Sequence, residues 1–204
     1  NVKLAYQVNP KNLITFTNTI SDESVDYQSI DDGVLTKIWS RGNKNTQSLM
    51  WQSKILDNVY NKVIFTHNAN QDNFELDVSE NMKIKSNTFG FRNDLTFFLR
   101  PENLIKIGLE GYSTNYILDG FERTSISFTN PAEPTQNQNV YQIEDKLSRM
   151  GAYVLYEGII WGKLQTNTGL RWDTNLTNRT ISPRIKLVYP FKNTSIHTSW
   201  GEYY

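Results

Sequence analysis

The sequence predicts an all-β chain, an antiparallel up-and-down transmembrane β-barrel in which roughly ten strands of a larger barrel are present. Three observations predict this fold. Apolar and polar residues alternate with a period of two along many segments. Short turns rich in Pro and Asn alternate with long polar connections. No segment approaches the roughly 20 consecutive apolar residues of a membrane-spanning helix.

The alternation is clearest in residues 163–174. Because successive side chains of a strand point to opposite faces, Arg171 and Asp173 share one face while Leu170 and Trp172 share the other. All the charge of this segment therefore falls on one side. The same pattern occurs in residues 2–8, 89–99, 105–110, 181–189 and 193–200.

Compact turn signals separate these segments, and they lie at residues 9–12, 57–61, 100–103, 158–162 and 190–193. The other connections are long and polar and cover residues 21–45, 69–81 and 119–145, with a short exception near 176–180. Outer-membrane barrels have short periplasmic turns and long extracellular loops. We therefore expect successive hairpins whose long connections are loops on one side of the membrane.

Aromatic residues and strand length agree with this fold. Aromatics make up 13% of the chain, and several stand beside the short turns, namely Tyr60, Phe98, Trp161 and Tyr189. This placement is typical of an interfacial girdle, although aromatics beside turns also occur in soluble sheets. Residues 82–99 predict a strand of about 18 residues, longer than the usual 3–10.

Composition excludes several function classes. Lys plus Arg equals Asp plus Glu, so the chain lacks the basic footprint of a nucleic-acid binder and of a polybasic membrane-surface protein. There is no cysteine, and His67 and His197 do not stand at metal-ligand spacing. Asp31, Asp32 and Gly33 lack the rest of a calcium loop, so we interpret them as an ordinary turn. No metal site and no cofactor is predicted.

Residues 169–204 carry a series of motifs: a strand ending in G-x-R-x-D, an S-P-R sequence that begins a strand, and a strand ending in Trp-Gly. The motif positions are Gly169, Arg171, Asp173, Ser182, Pro183, Arg184, Trp200 and Gly201. With segments 147–158 and 104–113 before them, their order and spacing resemble the barrel of TonB-dependent outer-membrane receptors. Pro183 has no N–H and should lie near a strand start or edge. We expect Arg184 to be a lumenal wall charge paired with a neighbouring carboxylate.

The resemblance implies active uptake across a Gram-negative outer membrane. The ligand would be small and extracellular, such as a ferric siderophore, another metal chelate, cobalamin or a glycan. Membrane lipid would surround the barrel, and a TonB complex would act through N-terminal parts that this sequence does not show. Residues 1–204 would form one partial β-barrel domain, without a visible plug domain, of a barrel of about 22 strands. Segments 21–45 and 119–145 would be candidate ligand-binding loops.

Two other functions remain open from the residues. A passive outer-membrane porin would show the same alternation. A soluble β-sandwich that binds carbohydrate would use tryptophan stacking platforms, namely Trp39, Trp51 or Trp161. An enzyme is least supported and no catalytic residue is assigned, because nothing places Glu110, Glu157 or Asp173 as a pair at the spacing of a glycosidase.

Overall fold

The computed structural model describes residues 1–31, 34–76, 80–127, 135–175 and 177–202 of the 204-residue chain. These residues contain ten β-strands. The strands are β1 (Val2–Asn9), β2 (Asn12–Asp31), β3 (Val34–Leu56), β4 (Val59–Leu76), β5 (Glu80–Arg100), β6 (Asn103–Ser127), β7 (Thr135–Ile160), β8 (Leu164–Asn175), β9 (Arg179–Phe191) and β10 (Thr194–Gly201). No helix with the length and apolar character needed to cross a membrane occurs in the described part of the chain.

All ten strands belong to one sheet in which each strand pairs antiparallel with the next. The order of strands in space is therefore their order in the sequence, and the predicted up-and-down topology is confirmed. Within the described residues β1 pairs only with β2, and β10 pairs only with β9. The sheet thus has two unpaired edges in this chain.

The short turns lie close to their predicted positions. Two-residue turns join β1 to β2, β3 to β4, β5 to β6 and β9 to β10. The turn predicted at 158–162 lies slightly later, after Ile160, and it contains positive φ angles at Trp161 (49°) and Gly162 (75°). The connection between β8 and β9 is short, as predicted, and the Asn175 side chain accepts hydrogen bonds from the backbone N–H groups of Thr177 and Asn178.

The long connections are mostly strand, so the prediction of loops at 21–45, 69–81 and 119–145 is wrong over most of these residues. β2 and β3 remain paired to Asp31 and Val34. β4 and β5 remain paired to Leu76, and β6 and β7 remain paired as far as Ser127. Residues 32–33, 77–79 and 128–134 lie outside the described part. A hairpin with water on both faces needs no apolar face, so its polar sequence resembles that of a loop.

The pairing separates the side chains into two faces, because directly opposed residues of an antiparallel pair lie on the same side. We call the face that carries Asp94 and Arg171 the polar face. We call the face that carries Phe91 and Trp172 the apolar face. Directly opposed residues can be followed from one strand to the next, so each residue of the sheet can be assigned to one of the two faces.

A band on the apolar face contains no Asp, Glu, Lys or Arg. This apolar band consists of the apolar-face residues within 2–8, 12–20, 47–55, 59–69, 89–99, 105–117, 148–160, 164–174, 181–189 and 194–200. It begins at the short turns and extends over about ten residues of the longer strands, or ~33 Å at about 3.3 Å per residue. Beyond it, charges return to the same face at Asp22, Lys85 and Lys146.

The apolar band is exposed. Leu109 and Phe65, near its middle, retain 54% and 52% of their surface. No second layer of the described residues covers them, since every strand lies in the one sheet. A band of this extent on a protein surface marks contact with a membrane or a partner.

Two of the aromatics predicted for a girdle lie on the opposite face. Tyr60 and Phe98 are on the polar face, where their rings pack edge to face with centroids 5.6 Å apart. Tyr189 is on the apolar face, and Trp161 is 90% exposed within its turn. Nearness to a turn did not decide the face, because the two-residue alternation continues up to the turn.

Candidate functional site

The polar face is concave. A cavity of about 960 Å³ near the short turns is lined by residues of six consecutive strands, from Gln7 on β1 to Lys106 on β6. Side chains of strands two apart also meet on this face, as Arg171 of β8 meets Glu110 of β6 and Arg92 of β5 meets Tyr153 of β7, so the sheet curves toward its polar face. The apolar band is therefore on the outside of the curve, and the charged side chains are on the inside.

Within the residue ranges of the apolar band, every Asp, Glu, Lys and Arg lies on this concave face. The cations are Lys3, Lys54, Lys62, Arg92, Lys106, Arg149, Arg171, Arg184 and Lys186, and the anions are Asp94, Glu110, Glu157 and Asp173. Cations outnumber anions among these described residues. The inner wall therefore carries a net positive charge although the whole chain is neutral.

Arg171 on β8 is the centre of the first half of an ion network. Its Nε lies 2.7 Å from Asp173 Oδ2 and its Nη2 lies 2.8 Å from Asp173 Oδ1. The same Nη2 donates to Glu110 Oε1 on β6. Arg149 on β7 adds a contact of 3.1 Å from its Nη2 to Asp173 Oδ1. One bidentate arginine thus holds two carboxylates that come from different strands.

Arg92 on β5 is the centre of the second half. Its Nε lies 3.0 and 3.1 Å from the two Asp94 oxygens, and its Nη2 donates to the Tyr153 hydroxyl at 2.9 Å. The Tyr153 hydroxyl in turn donates to Asp94 Oδ1. Lys62 on β4 lies 3.7 Å from Asp94, and Arg92 Nη1 lies 3.8 Å from Glu110. The last contact joins the halves into one network from β4 to β8.

The carboxylates of this network are buried, and its cations are less so. The side chains of Asp94 and Glu110 are 5% and 7% exposed, whereas those of Arg92 and Arg149 are 42% and 50% exposed. Taking a carboxylate out of water costs several kcal/mol unless ion pairs and hydrogen bonds offset it. The arginines supply these contacts and extend the rest of their surface into the concave side.

Two glycines make room for the network. Gly108 lies directly opposite both Asp94 and Tyr153, and a Cβ at Gly108 would overlap the Tyr153 ring. Gly151 lies opposite Asp173, where a Cβ would come within 2.9 Å of Asp173 Oδ1 and 3.1 Å of Arg171 Nη2. Glycine inside a strand is unfavourable in itself, so its presence here reflects a close approach of neighbouring side chains.

The structure brings five of the eight motif positions to one area of the polar face. Arg171 and Asp173 belong to the network, and Ser182, which is 4% exposed, lies directly opposite Arg171. Gly169 lies opposite Arg184, and the Arg184 carbonyl accepts a hydrogen bond from the Thr168 hydroxyl. The resemblance thus selected residues that are neighbours in space, and their role in the wall stays a prediction.

The other motif positions lie around the end of β10. Trp200 and Pro183 are on the apolar face, and Gly201 is paired with Arg184. The Pro183 carbonyl accepts a hydrogen bond from the Glu202 N–H at 3.2 Å. A residue in an antiparallel strand points its N–H and C=O to the same neighbour. Pro183 lies within β9, but the position where its N–H would be therefore points toward Glu202, the residue that follows β10.

Sequence reasoning missed most of the network. Glu110 was considered only as an isolated carboxylate, and Arg92, Asp94 and Tyr153 were not singled out. One signal could have found them, namely a charged residue of the polar face that lies directly opposite a glycine of the neighbouring strand, as Asp94 lies opposite Gly108. The three carboxylates considered for an enzyme do not suggest acid–base chemistry. Glu110 and Asp173 both pair with Arg171, and Glu157 accepts a hydrogen bond from Asn167 at 3.1 Å.

The tryptophans of the carbohydrate-binding alternative do not form a platform. Trp39 and Trp51 lie on β3 twelve residues apart, or ~40 Å at about 3.3 Å per residue. Trp161 is in the turn between β7 and β8. A sandwich would also need a second sheet, and the described strands form one. The structure therefore does not support this alternative.

The remaining candidates serve local contacts. His67 stacks on Phe89 with centroids 4.5 Å apart, and His197 Nε2 lies 2.6 Å from the Ser195 hydroxyl. Asp31 ends β2, and Asp32 and Gly33 lie outside the described residues. No group of three His, Cys, Asp or Glu side chains that could hold a metal occurs in the described part.

Solved structures similar to this chain include outer-membrane proteins. The outer membrane transporter YddB from Escherichia coli has a TM-score of 0.66 and 12% identity, with 92% of this chain and 28% of that chain covered. The siderophore receptor PiuA from Acinetobacter baumannii has a TM-score of 0.65 and 13% identity, with coverage of 97% and 40%. FpvA from P. aeruginosa, solved with heterologous pyoverdines, has a TM-score of 0.69 and 14% identity, with coverage of 97% and 34%.

At these identities the likeness establishes the fold, which is that of part of an outer-membrane β-barrel wall. The predicted fold class is thereby confirmed. The chain spans 28%, 40% and 34% of the lengths of the three structures. No protein-family model and no curated protein sequence matches the chain.

Replacing Gly108 by Ala should destabilise the wall. The new methyl group would displace the Tyr153 ring and break its hydrogen bonds to Asp94 and Arg92. We expect a loss of about 1–3 kcal/mol in the free energy of unfolding, measured by urea titration in lipid vesicles. Gly111→Ala on the same strand is the matched control, because its nearest neighbour would be 3.7 Å away. Equal losses in both variants would contradict the packing role of Gly108.

Replacing Arg171 by Met should be more costly. Glu110 and Asp173 would stay buried without their bidentate partner. We expect a loss of about 3–5 kcal/mol in the same urea titration. Arg179→Met is the control, since Arg179 is exposed and has no ion pair in the described structure. Its effect should stay within about 0.5 kcal/mol. A similarly small effect at Arg171 would show that the network contributes little to stability.

Proposed function

We propose that this chain is part of the barrel wall of a TonB-dependent receptor in a Gram-negative outer membrane. The observation that carries the proposal is the separation of charge between the two faces of the curved sheet. The outer face has an uncharged band on every strand, and within the residue ranges of that band every Asp, Glu, Lys and Arg lies on the inner face. This is the arrangement of a barrel with lipid outside and a polar lumen inside.

The dimensions of the apolar band suit a bilayer. A transmembrane β-strand needs about 9–11 residues when it is tilted by about 45°. The band on β4 and β5 covers residues 59–69 and 89–99, which meets this requirement. Inside hydrocarbon every backbone N–H and C=O must find a partner within the protein, and the continuous ladder from β1 to β10 supplies partners between the strands. Membrane lipid is then the partner of the outer face.

A larger barrel would complete the wall. A strand edge cannot face lipid, so the outer edges of β1 and β10 require further strands. Plugged outer-membrane transporters have about 22 strands, and the chain covers 28–40% of the length of the similar structures. The plug and the TonB contact would belong to parts of the receptor outside residues 1–204.

The ligand is proposed to be a small extracellular molecule, with a metal chelate such as a ferric siderophore as the first candidate. Two similar structures support this choice, since one is a siderophore receptor and one was solved with pyoverdines. The long hairpins of β2–β3 and β6–β7 rise beyond the apolar band on the side opposite the short turns. They would stand on the extracellular side, where rigid scaffolds present recognition surfaces.

Placing a charge in the apolar band should prevent stable insertion. Leu49 lies on the apolar face between Phe16 and Phe65, at mid-height. Leu49→Arg should cost about 2–4 kcal/mol in unfolding from lipid vesicles and reduce the amount in outer-membrane fractions. Ser48→Arg, the adjacent position on the polar face, should be tolerated. If both variants insert equally well, the band is not in contact with lipid.

Uptake driven by the TonB complex is tested in cells that express the complete protein containing this chain. A labelled ferric siderophore should accumulate, and a protonophore or deletion of the TonB gene should abolish its accumulation. A strain without the receptor gives the background. Accumulation of small solutes that persists without the TonB complex would identify a passive porin and overturn the receptor proposal.

A further inference from the structure

Two asparagines interrupt the apolar band on its outer face. Asn93 of β5 lies directly opposite Val63 of β4, near the middle of residues 89–99, and Asn61 of β4 lies directly opposite Leu95. Their side chains are joined, because Asn93 Nδ2 donates a hydrogen bond to Asn61 Oδ1 over 2.7 Å. We call these two side chains the amide pair. An amide that faces hydrocarbon without hydrogen-bond partners is unfavourable, so contact with lipid alone does not explain the pair.

The hydrogen bond between the two side chains satisfies only half of the amide pair. Asn93 Nδ2 also approaches the Lys62 carbonyl oxygen at 3.5 Å, whereas Asn93 Oδ1 and Asn61 Nδ2 have no partner in the described part of the chain. Both residues are half-buried, and the buried side-chain atoms without a partner are found elsewhere, at Asn18 and Asn45. One acceptor and one donor of the amide pair therefore remain open at the outer surface.

An open acceptor beside an open donor is self-complementary. A second copy of the protein, related by a two-fold axis along the membrane normal, would present its own amide pair at the same height. Asn93 Oδ1 of each copy would then accept a hydrogen bond from Asn61 Nδ2 of the other, which is the reciprocal contact of an isologous interface. Asparagine side chains that bond between membrane-spanning helices favour their association, and the same argument applies to strands. Acyl chains of lipid offer neither donor nor acceptor.

The surface around the amide pair offers apolar contact. Trp51 and Leu109 lie beside it on the same face and are 46% and 54% exposed. A groove of about 670 Å³ lies next to it, between Phe65 and Met150, where Gly111 has no side chain to fill the space. Apolar side chains of a second copy would pack into this groove. Because the apolar band contains no Asp, Glu, Lys or Arg, two copies would meet here without repulsion between like charges.

We propose that the outer face around Asn61 and Asn93 is an interface between two copies of the protein within the membrane. The inference goes beyond the proposed function and rests on it in one respect, since the amide pair faces hydrocarbon only if the apolar band is in lipid. Strands β4 and β5 of each copy form the centre of the contact. The occupant is a second copy because its own open donor and acceptor match those of the first.

The interface is tested by photo-crosslinking in cells that express the complete protein with p-benzoylphenylalanine in place of Val63. Two differently tagged copies are expressed together, and illumination should give a product of twice the mass that carries both tags. Asn61→Leu and Asn93→Leu should each reduce this product about fivefold or more, because each substitution removes both bonds across the two-fold axis. Asn87→Leu is the matched control, since Asn87 lies on the same strand and face as Asn93 and its side chain has no hydrogen bond in the described structure.

Insertion into the outer membrane is measured in parallel for every variant. Leucine suits lipid, so insertion should be unchanged or higher in Asn61→Leu and Asn93→Leu, and loss of the two-tag product in these variants but not in Asn87→Leu supports the interface. Wild-type levels of product in both, or an equal loss in all three, overturns it.

The wild-type protein decides the remaining cases. Absence of a two-tag product from inserted protein overturns the interface while the membrane proposal stands. A crosslinked product of another mass alone would identify a different partner and overturns the second copy as the occupant. If the wild-type protein does not insert into the membrane, the interface and the proposed function both fail.

Discussion

The register of the antiparallel ladder is the constraint on which the rest of the structure depends. A shift of one residue in any pair would move every charge of that strand to the apolar face. The ion network works against such a shift, because Arg171 and Glu110 meet across β7 although they are 61 residues apart in sequence. Arg92 and Tyr153 are likewise 61 residues apart and meet across β6. Side-chain contacts that skip a strand thus hold three strands in register at once.

This constraint explains which parts of the fold were predictable. The alternation in residues 163–174 placed Arg171 and Asp173 on one face and Trp172 on the other, and the structure agrees. The hairpin extensions were not predictable in the same way. Residues 21–31 and 34–45 lack a consistent apolar face because water would lie on both sides, and periodicity identifies a strand only when one side is apolar. Their pairing follows from backbone hydrogen bonds and contacts such as Lys44–Glu23, at 2.7 Å.

The candidate site was predictable only in part for a related reason. Arg171, Asp173 and Ser182 lie close together in sequence, so a local motif could select them. Glu110 and Tyr153 join them through the register of β6, β7 and β8, and a local motif carries no information on register. Gly108 was a local sign of this packing, because it is a glycine within a strand and the Tyr153 ring occupies the space beside it.

The position of the carboxylates connects stability with the proposed transport function. If Asp94, Glu110 and Asp173 stood at the surface of the concave side, they would neutralise it for an approaching anion. They are buried against the sheet, and the arginines that cover them are more exposed. The same ion pairs that hold the strands together therefore present positive charge to the interior. A cleft with one sign of charge and low-dielectric walls concentrates ligands of the opposite sign. The stability of the wall and the exposure of positive charge on its concave side are thus two consequences of one arrangement, in which buried carboxylates orient the arginines that cover them.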